Sequence, residues 1–317
     1  MLGIVVVAYK SFDDTVAFVR NELPRITLPH KTVVVDLGGE AAFVAKQATA
    51  CQAELVGGDG AVGNRNADLF MIHAEDNLGF AKGNNLGARF LLKNFPSVRW
   101  LLISNNDIGL RDGGAVEELV SQLASHPEAG MAGPRIIDRN GDEQLPYVRP
   151  QSFWRIVCHN FLFPVMNRFG DRDRACKLPA QTNRVTPCYF VSGCFFVVRA
   201  AEFQAVGMFD PTTFLYCEEQ IIAERYAAIG KQALYCPAVT IDHYSGKTTE
   251  RHIASTRFVR ILQQSFRHYF KAYRNAGALS LAIFDLSFWA RLALIRLTDP
   301  IQEWRRRRRE QASARVK

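Results

Sequence analysis

Residues 69–107 read LFMIHAEDNLGFAKGNNLGARFLLKNFPSVRWLLISNND, and this stretch decides the fold. Leu69 to His73 is a short apolar run of buried-strand length, and Trp100 to Ser104 is another. Between them, Phe80 to Asn94 has the length and spacing of a helix. A strand, a helix and a second strand in this order predict a βαβ unit with parallel strands.

The same alternation extends towards the N-terminus. Leu2 to Ala8 (LGIVVVA) is a β-branched run, followed by Phe12, Val16, Val19 and Leu23 at helical spacing. Lys31 to Asp36 (KTVVVD) reads as a further strand, with a helix over residues 40–53. Apolar strands separated by helices predict an α/β fold with a mostly parallel central sheet and helices on both faces. Ligands of such sheets gather at the carboxyl ends of the strands. There the sequence places Asp36, the loop Asn77 to Asn85, and Asn105-Asn106-Asp107.

The pattern changes after Pro134. Residues 142–187 mix proline, arginine and aromatics without a period, which predicts an irregular, mobile segment. A strand over Val191 to Val198 and a helix near Ala200 follow, and then FDPTTFLYCEEQ leads into a helix ending about Ile229. Gln232 to Tyr235 and Val239 to Asp242 read as two short strands ending at His243. The chain therefore divides into a domain over 1–250, with halves of about 1–135 and 136–250, and an extension over 251–317.

Composition limits what the motifs can mean. The chain has 317 residues, 48% hydrophobic and 22% charged, enough for one large α/β core with an appendage. Seven cysteines form an odd set without a CxxC pair, and the start MLGIVVVAY has no basic leader, so a reduced, cytoplasmic protein is expected. The net charge of +8 belongs to the tail: from Arg251 onward 15 Lys/Arg face 4 Asp/Glu, while residues 1–250 carry 24 against 27. A slightly acidic body argues against nucleic acid as the partner.

Four constellations carry candidate chemistry. Asn77 to Asn85 joins a strand to a helix, and its glycines allow a tight turn and free helix amides for a diphosphate, although a capped αβ connection would look the same. Asp107 after a buried strand suits Mg2+ or Mn2+ on phosphates, and equally an Asx-turn. Glu218-Glu219, beside Phe214-Leu215-Tyr216, are candidates for a raised carboxyl pKa and general base catalysis, or for ordinary first-turn dipole partners. His243 in Asp242-His243-Tyr244-Ser245-Gly246 is a candidate metal ligand or a structural histidine.

In this order, the segments resemble the family 2 glycosyltransferases of the GT-A fold, in particular rhamnosyltransferase-like bacterial members that build surface polysaccharides. The resemblance covers roughly residues 2–275. NLGFAKGNN at 77–85 matches the family's N-x-G-F-A-x-G-N-N, LLISNND at 101–107 its N-x-D metal motif, and SGCFFVVRAAEFQAVGMFDPTTFLYCEE at 192–219 its G-x-F-D-x-x-F-F-x-Y-x-E-D segment. His243 fits the family's later histidine.

The resemblance implies an inverting transfer from a nucleoside-diphosphate sugar, dTDP-rhamnose or a UDP-sugar, to a glycan or lipid-linked acceptor. It implies that Asp107 and His243 hold the metal, that Glu219 is the base with Glu218 beside it, and that Asp36 meets the base or ribose. Ala8, Tyr9, Asn77, Gly79, Phe80, Lys82, Gly83, Asn84, Asn85, Asn105 and Asn106 complete the donor site, with Lys82 and the amides of 83–85 near the phosphates. The chain departs from the pattern at Ala8-Tyr9-Lys10 (T-Y-N), Asp36-Leu37-Gly38-Gly39 (D-N-x-S) and Glu218-Glu219-Gln220-Ile221-Ile222 (E-D-V-D-L). The altered acidic motif also fits a non-catalytic scaffold of the same fold. A sugar nucleotidyltransferase would carry a Gly-rich loop after the first strand, which Val7 to Lys10 does not supply.

Leu279 to Leu297 holds 14 apolar residues in 19, nearly a membrane span, but Asp285, Arg291 and Arg296 interrupt it. Ser280, Ser287, Arg291 and Thr298 share one helical side, so an interfacial helix is expected, or one docked on another copy in a homo-oligomer. The run Arg305 to Arg309 would attract an anionic membrane, making residues 279–309 a peripheral anchor on the inner face of the cytoplasmic membrane.

Overall fold

The computed structural model describes residues 1–57, 60, 62–162, 173–244 and 255–314. It divides into two compact units, 1–150 with 176–252, and 151–175 with 253–317.

The first unit is built on one sheet. Its strands are β1 (Leu2–Ala8), β2 (His30–Asp36), β3 (Glu54–Leu55), β4 (Leu69–His73), β5 (Trp100–Asn105), β6 (Ile108–Leu110), β7 (Ala129–Asp138), β8 (Thr186–Cys188), β9 (Phe195–Arg199) and β10 (Gln232–His243). Their order is β3-β4-β2-β1-β5-β9-β7-β10-β6, with β8 also on β10. The β3-β4-β2-β1-β5 half is parallel throughout, as the βαβ pattern requires. β9 then enters antiparallel between β5 and β7, and β7 and β10 pair in parallel beyond it, so the sheet is mostly parallel with an antiparallel strand inside it. The apolar run of β9 gives no hint of direction, because a strand buried on both faces reads alike either way.

Burial on both faces follows from the alternating side chains. Ile4 and Val6 join one apolar cluster, while Val5 joins the other with Val33, Val35, Leu101 and Ile103. Helix α1 spans Phe12–Ala17, α2 Ala41–Cys51, α3 Gly79–Asn94 and α4 Ala115–Ser125. α3 lies close on the sheet because its inward side is small: a Cβ at Gly87 would come 2.6 Å from Val5 Cγ1. Helices α6 (Ala200–Ala205) and α7 (Glu218–Ala227) follow β9. The two short strands expected before His243 are one strand, β10, whose register shifts between Cys236 and Thr240. Pro237 lies in that interval and cannot donate to a ladder, which makes a bulge the way through.

The second unit contains α5 (Phe153–Phe161), α8 (Ser255–Tyr273) and α9 (Ala278–Ala314). The sequence boundary at 250 therefore misses that 151–175 groups with the C-terminal helices, and α5 corrects the expectation of an irregular segment there. Its core is aromatic: Phe153 packs against Phe270 and Phe284, and Phe284 against Phe288. Ser287 and Arg291 of α9 face inward, contrary to the expectation of an interfacial helix with its polar side in water. Ser287 is fully buried and receives a bond from Asn160 Nδ2 at 3.0 Å, Arg291 is 9% exposed with Nη1 3.4 Å from Asn160 Oδ1, and Asp285 accepts from Gln263 and Arg267. Helical spacing defines the two sides of a helix, but the neighbour decides which one is inside.

Candidate active site

Strand pairing brings the first two candidates together. β6 runs antiparallel to β10 with Ile108 opposite His243, and Tyr244 N–H donates to Asp107 C=O at 2.9 Å. Asp107, one residue before β6, therefore faces the end of β10, and its Oδ1 lies 3.5 Å from His243 Nε2. Burial opposes the charged imidazolium, but Asp107 and Cys194 beside it prevail and raise the His243 pKa to about 10. On its other side, His243 Nδ1 is 3.5 Å from Gln144 Oε1. Ser245 and Gly246 lie outside the described residues.

The acidic pair stands at the start of α7. Tyr216 and Cys217 ahead of it both have positive φ, 74° and 69°, a conformation that non-glycine residues adopt at a cost of order 1–3 kcal/mol each. Glu218 points into the protein, 3% exposed, and both burial and the charge of Glu219 raise its pKa above the usual carboxylate range. Glu219 lines a cleft of about 370 Å3 together with Gln144, Tyr147, Lys177, Phe190 and Ser192. Burial raises its pKa as well, and the Gly193 amide, donating to Oε1 at 3.1 Å, works in the opposite direction. A Cβ at Gly193 would sit 2.6 Å from that oxygen, so glycine is what lets the carboxylate reach the amide. Gln144 thus borders both the Glu219 cleft and the ring of His243.

The Asn77 to Asn85 segment is more fully engaged in packing than its sequence suggests. Asn77 Oδ1 accepts from Gly79 N–H at 3.0 Å, and Phe80 N–H donates to Phe214 C=O at 2.9 Å, so both leading amides of α3 have protein partners. Gly79 has φ +75°, and a Cβ there would lie 2.2 Å from the Phe214 carbonyl oxygen. Gly83, Asn84 and Asn85 fall in the second helical turn, where their amides are committed to the helix, which corrects the expectation of a phosphate cradle at 83–85. Asn84 Nδ2 donates to Phe80 C=O. Asn85 clasps Phe209 twice, Nδ2 donating to its C=O at 2.8 Å and Oδ1 accepting its N–H at 3.1 Å. Phe80 packs edge-on against Phe209, with ring centres 5.4 Å apart. The motif therefore ties α3 to the segment that carries Phe209, Phe214 and the acidic pair, while Lys82 stays exposed.

At the end of β2, Asp36 is fully buried, and its Oδ1 accepts from the amides of Gly38 and Gly39 at 3.1 and 2.7 Å. It shapes the turn and does not present an open carboxylate. The Tyr9 ring lies flat on that turn, within 2.4 Å of where a Gly38 Cβ would be, and Ala8 C=O accepts from Leu37 N–H. Asn105 N–H donates to Cys194 C=O, and Asn106 Nδ2 donates to Ser11 Oγ and Thr15 Oγ1, which fixes the turn into Asp107.

Comparison with known proteins fits this geometry. No family model matches the chain. It is 27% identical over 156 residues to the N-acetylglucosaminyl-diphospho-decaprenol L-rhamnosyltransferase of Mycobacterium tuberculosis, in strains CDC 1551 and H37Rv, which is 49% of this chain. The chain spans about half the length of these curated relatives (50%). The structure of GalNAc-T7 with UDP, GalNAc and Mn2+ superposes with TM-score 0.56 at 13% identity, over 86% of this chain and 49% of that one. The mannosyltransferase PcManGT of Pyrobaculum calidifontis, solved with GDP-Man and Mn2+, gives 0.51 at 14% identity, over 94% and 75%. Over the matched half the chain is similar to rhamnosyltransferases, and its fold is the GT-A fold of these solved glycosyltransferases.

Sequence reading singles out Glu218-Glu219, Asp107 and His243 but not the residues that the structure sets beside them. Gln144, Tyr147 and Lys177 lie in the stretch read as irregular, and nothing periodic marks them. Gly193 was legible only as part of the SGC segment, without its link to Glu219. Cys194, beside His243, left no signal in the sequence.

Proposed function

We propose that this protein is an inverting, metal-dependent family 2 glycosyltransferase that moves a sugar from dTDP-rhamnose or a UDP-sugar to a lipid-linked glycan acceptor in surface-polysaccharide synthesis. The observation that carries this reading is the chain of contacts from the Glu219 cleft through Gln144 to His243 and Asp107. The acceptor class follows the rhamnosyltransferase relative, whose name specifies a diphosphate-linked lipid.

Asp107 and His243 would hold Mg2+ or Mn2+. Their donors suit it: Asp107 Oδ1 is buried without a hydrogen-bond partner, and the imidazole nitrogen beside it would be a second ligand once its proton is displaced. Among the described residues no group of three or more His, Cys, Asp or Glu could hold a metal. That suits a hard cation that completes its shell from substrate phosphates and water. When bound, the cation supplies positive charge to the departing diphosphate.

Glu219 takes the proton of the acceptor hydroxyl as that oxygen bonds to the anomeric carbon, and the bond to the nucleoside diphosphate breaks on the opposite side. With Glu143 held by Arg135 and the Tyr235 hydroxyl, Glu219 is left as a single base on the cleft, which suits direct displacement with inversion. Gly193 and Gln144 position this machinery, Lys82 and Asn77 serve the phosphates, and Ala8, Tyr9 and the turn held by Asp36 form the base side of the donor site.

The second unit supports attachment to the cytoplasmic face of an anionic membrane. Ala278–Leu297 is apolar and, at 20 residues, long enough to cross a bilayer, with a mean hydropathy of 1.7 over its most apolar 18 residues. Leu279, Leu286, Trp289 and Leu297 are 57% or more exposed on α9, and Arg305 to Arg309 follow in sequence.

A screen of purified protein against nucleotide sugars, scored by released diphosphate with Mn2+ or Mg2+, tests the reading. Glu219→Gln is expected to abolish transfer while nucleotide affinity stays within a factor of about two. Undiminished turnover in that variant would remove Glu219 from the mechanism.

A further inference from the structure

The loop that leaves β1 carries a lysine that local stability does not explain. Lys10 has a φ of 51°, a left-handed conformation that strains a lysine more than an asparagine or a glycine. Its place just ahead of α1 is unfavourable as well, because a helix N-terminus attracts negative charge and repels a cation. Asp13 and Asp14 in the first turn are the residues that this end of α1 favours. Lys10 is exposed, and among the described residues its ammonium has no carboxylate within ion-pair distance. It lies 5.5 Å from the centre of the Tyr9 ring, a contact that suits a charged ammonium.

The sheet fixes where this lysine stands. β1 lies between β2 and β5, about 4.8 Å from each, with Val7 level with both Val35 and Asn105. Lys10 therefore leaves the sheet between the turn held by Asp36 and the turn into Asp107. Its two neighbours tie it to both: the Tyr9 ring lies on the Gly38 turn, and Ser11 Oγ accepts from Asn106 Nδ2 at 2.6 Å. The base side of the proposed donor site is thus on one flank of Lys10 and the proposed cation site on the other. In a nucleoside diphosphate, the α-phosphate is the group between the nucleoside and the terminal phosphate.

The charges along this edge give the lysine its task. In the loops that follow β1, β2, β4 and β5, the charged residues are Lys10, Glu40, Glu75, Asp76 and Asp107. An anion bound there meets carboxylates from three of the four loops, and Lys10 is the fixed positive charge among them. We infer that Lys10 binds the α-phosphate of the donor, and that through it the protein keeps affinity for nucleoside phosphates when no divalent cation is present. This rests on the donor-site reading above and adds a protein-borne charge to it. The strain at residue 10 is then the cost of placing that charge, since an asparagine there would relieve the backbone and remove the ammonium.

The test is calorimetric titration of the full-length protein with uridine, UMP and UDP, and with the thymidine series, in EDTA and in Mn2+. Lys10→Asn is the informative variant, because asparagine takes the left-handed conformation more readily than lysine and the fold should not suffer. In EDTA the wild-type protein is expected to bind UMP or dTMP about tenfold more tightly than the nucleoside, the scale of a hydrogen bond to a charged group, and less so as salt rises. Lys10→Asn should bring that ratio to within twofold, Lys10→Arg should keep most of it, and neither should change nucleoside affinity. Equal losses for nucleoside and nucleotide, or a ratio that survives Lys10→Asn, would overturn the assignment. So would a wild-type protein that transfers sugar with Mn2+ yet binds UMP and dTMP in EDTA no better than the nucleosides. A Lys10-dependent ratio in a protein that transfers nothing from any donor would keep the phosphate site and reject the catalytic reading.

Discussion

Asp107 Oδ1 lies 3.5 Å from His243 Nε2 because β6 pairs with β10, not because the two residues are near in sequence. A pair made by strand register responds to chemical change in either partner as a unit. Asp107→Asn is expected to weaken Mn2+-dependent binding of nucleoside diphosphate by about 10–100-fold, the usual scale for losing a metal-site group. His243→Ala should lose a similar amount, and the double variant should lose less than the sum of the two. Calorimetric titration with and without Mn2+ reads all three, and strict additivity would separate the residues into independent roles.

Gly193→Ala isolates the contact that orients Glu219, the proposed base. The added methyl would come 2.6 Å from Glu219 Oε1, so the carboxylate must leave the Gly193 amide. Transfer is expected to fall about 100-fold, the lower end of what a positioned general base contributes, while Mn2+-dependent nucleotide binding is unchanged. Steady-state kinetics beside calorimetry checks both, and turnover close to wild type would show that Glu219 works without the amide.

The buried partner of the pair makes a prediction about stability. Burial and the Glu219 charge raise the Glu218 pKa above its unfolded value. A carboxyl with a raised folded pKa contributes stability that is fully present below the unfolded pKa, near 4.3, and is lost as pH rises through the folded pKa. Glu218→Gln removes that loss. Melting temperatures of the two proteins should therefore be close at pH 4, with the variant gaining as pH rises towards 8, by roughly 2–4 °C for each kcal/mol of difference. A gap that narrows with pH would contradict a buried, raised Glu218.

The sequence shows the parallel half of the sheet well, because β1, β2, β4 and β5 are continuous β-branched or apolar runs separated by helices. It does not show partners across the chain. Asn85 reads as a ligand-binding residue in a glycine-rich loop, yet both polar atoms of its side chain bond the backbone of Phe209. Tyr147 forms isolated antiparallel bridges with Lys177 and Phe190, in stretches without periodicity, so this pairing leaves no pattern in the side chains. α9 illustrates the same limit. Ser287 and Arg291 share a side as read, but Asn160 on α5 turns that side inward, and helical spacing cannot specify a neighbour.

The inward polar side of α9 changes how membrane attachment is best tested. Truncation after Gly277 would strip α5 and α8 of Phe284, Phe288 and the Ser287 contact, and so would disturb the second unit itself. Leu286 and Trp289, 60% and 57% exposed, can change without emptying a core. Leu286→Asp with Trp289→Asp places two charges on the apolar side, and each costs about 2.5–3.5 kcal/mol if it must enter the bilayer centre. Replacing Arg305 to Arg309 with glutamine removes the attraction to anionic lipid, worth about 1 kcal/mol per arginine near the surface. In flotation with vesicles containing anionic lipid, the wild-type chain is expected to rise with the vesicles. The glutamine variant should need more anionic lipid to do so, and the aspartate variant should stay in the soluble fraction while its circular dichroism remains that of the wild type. Flotation of the aspartate variant equal to wild type would mean that the exposed side of α9 does not meet lipid.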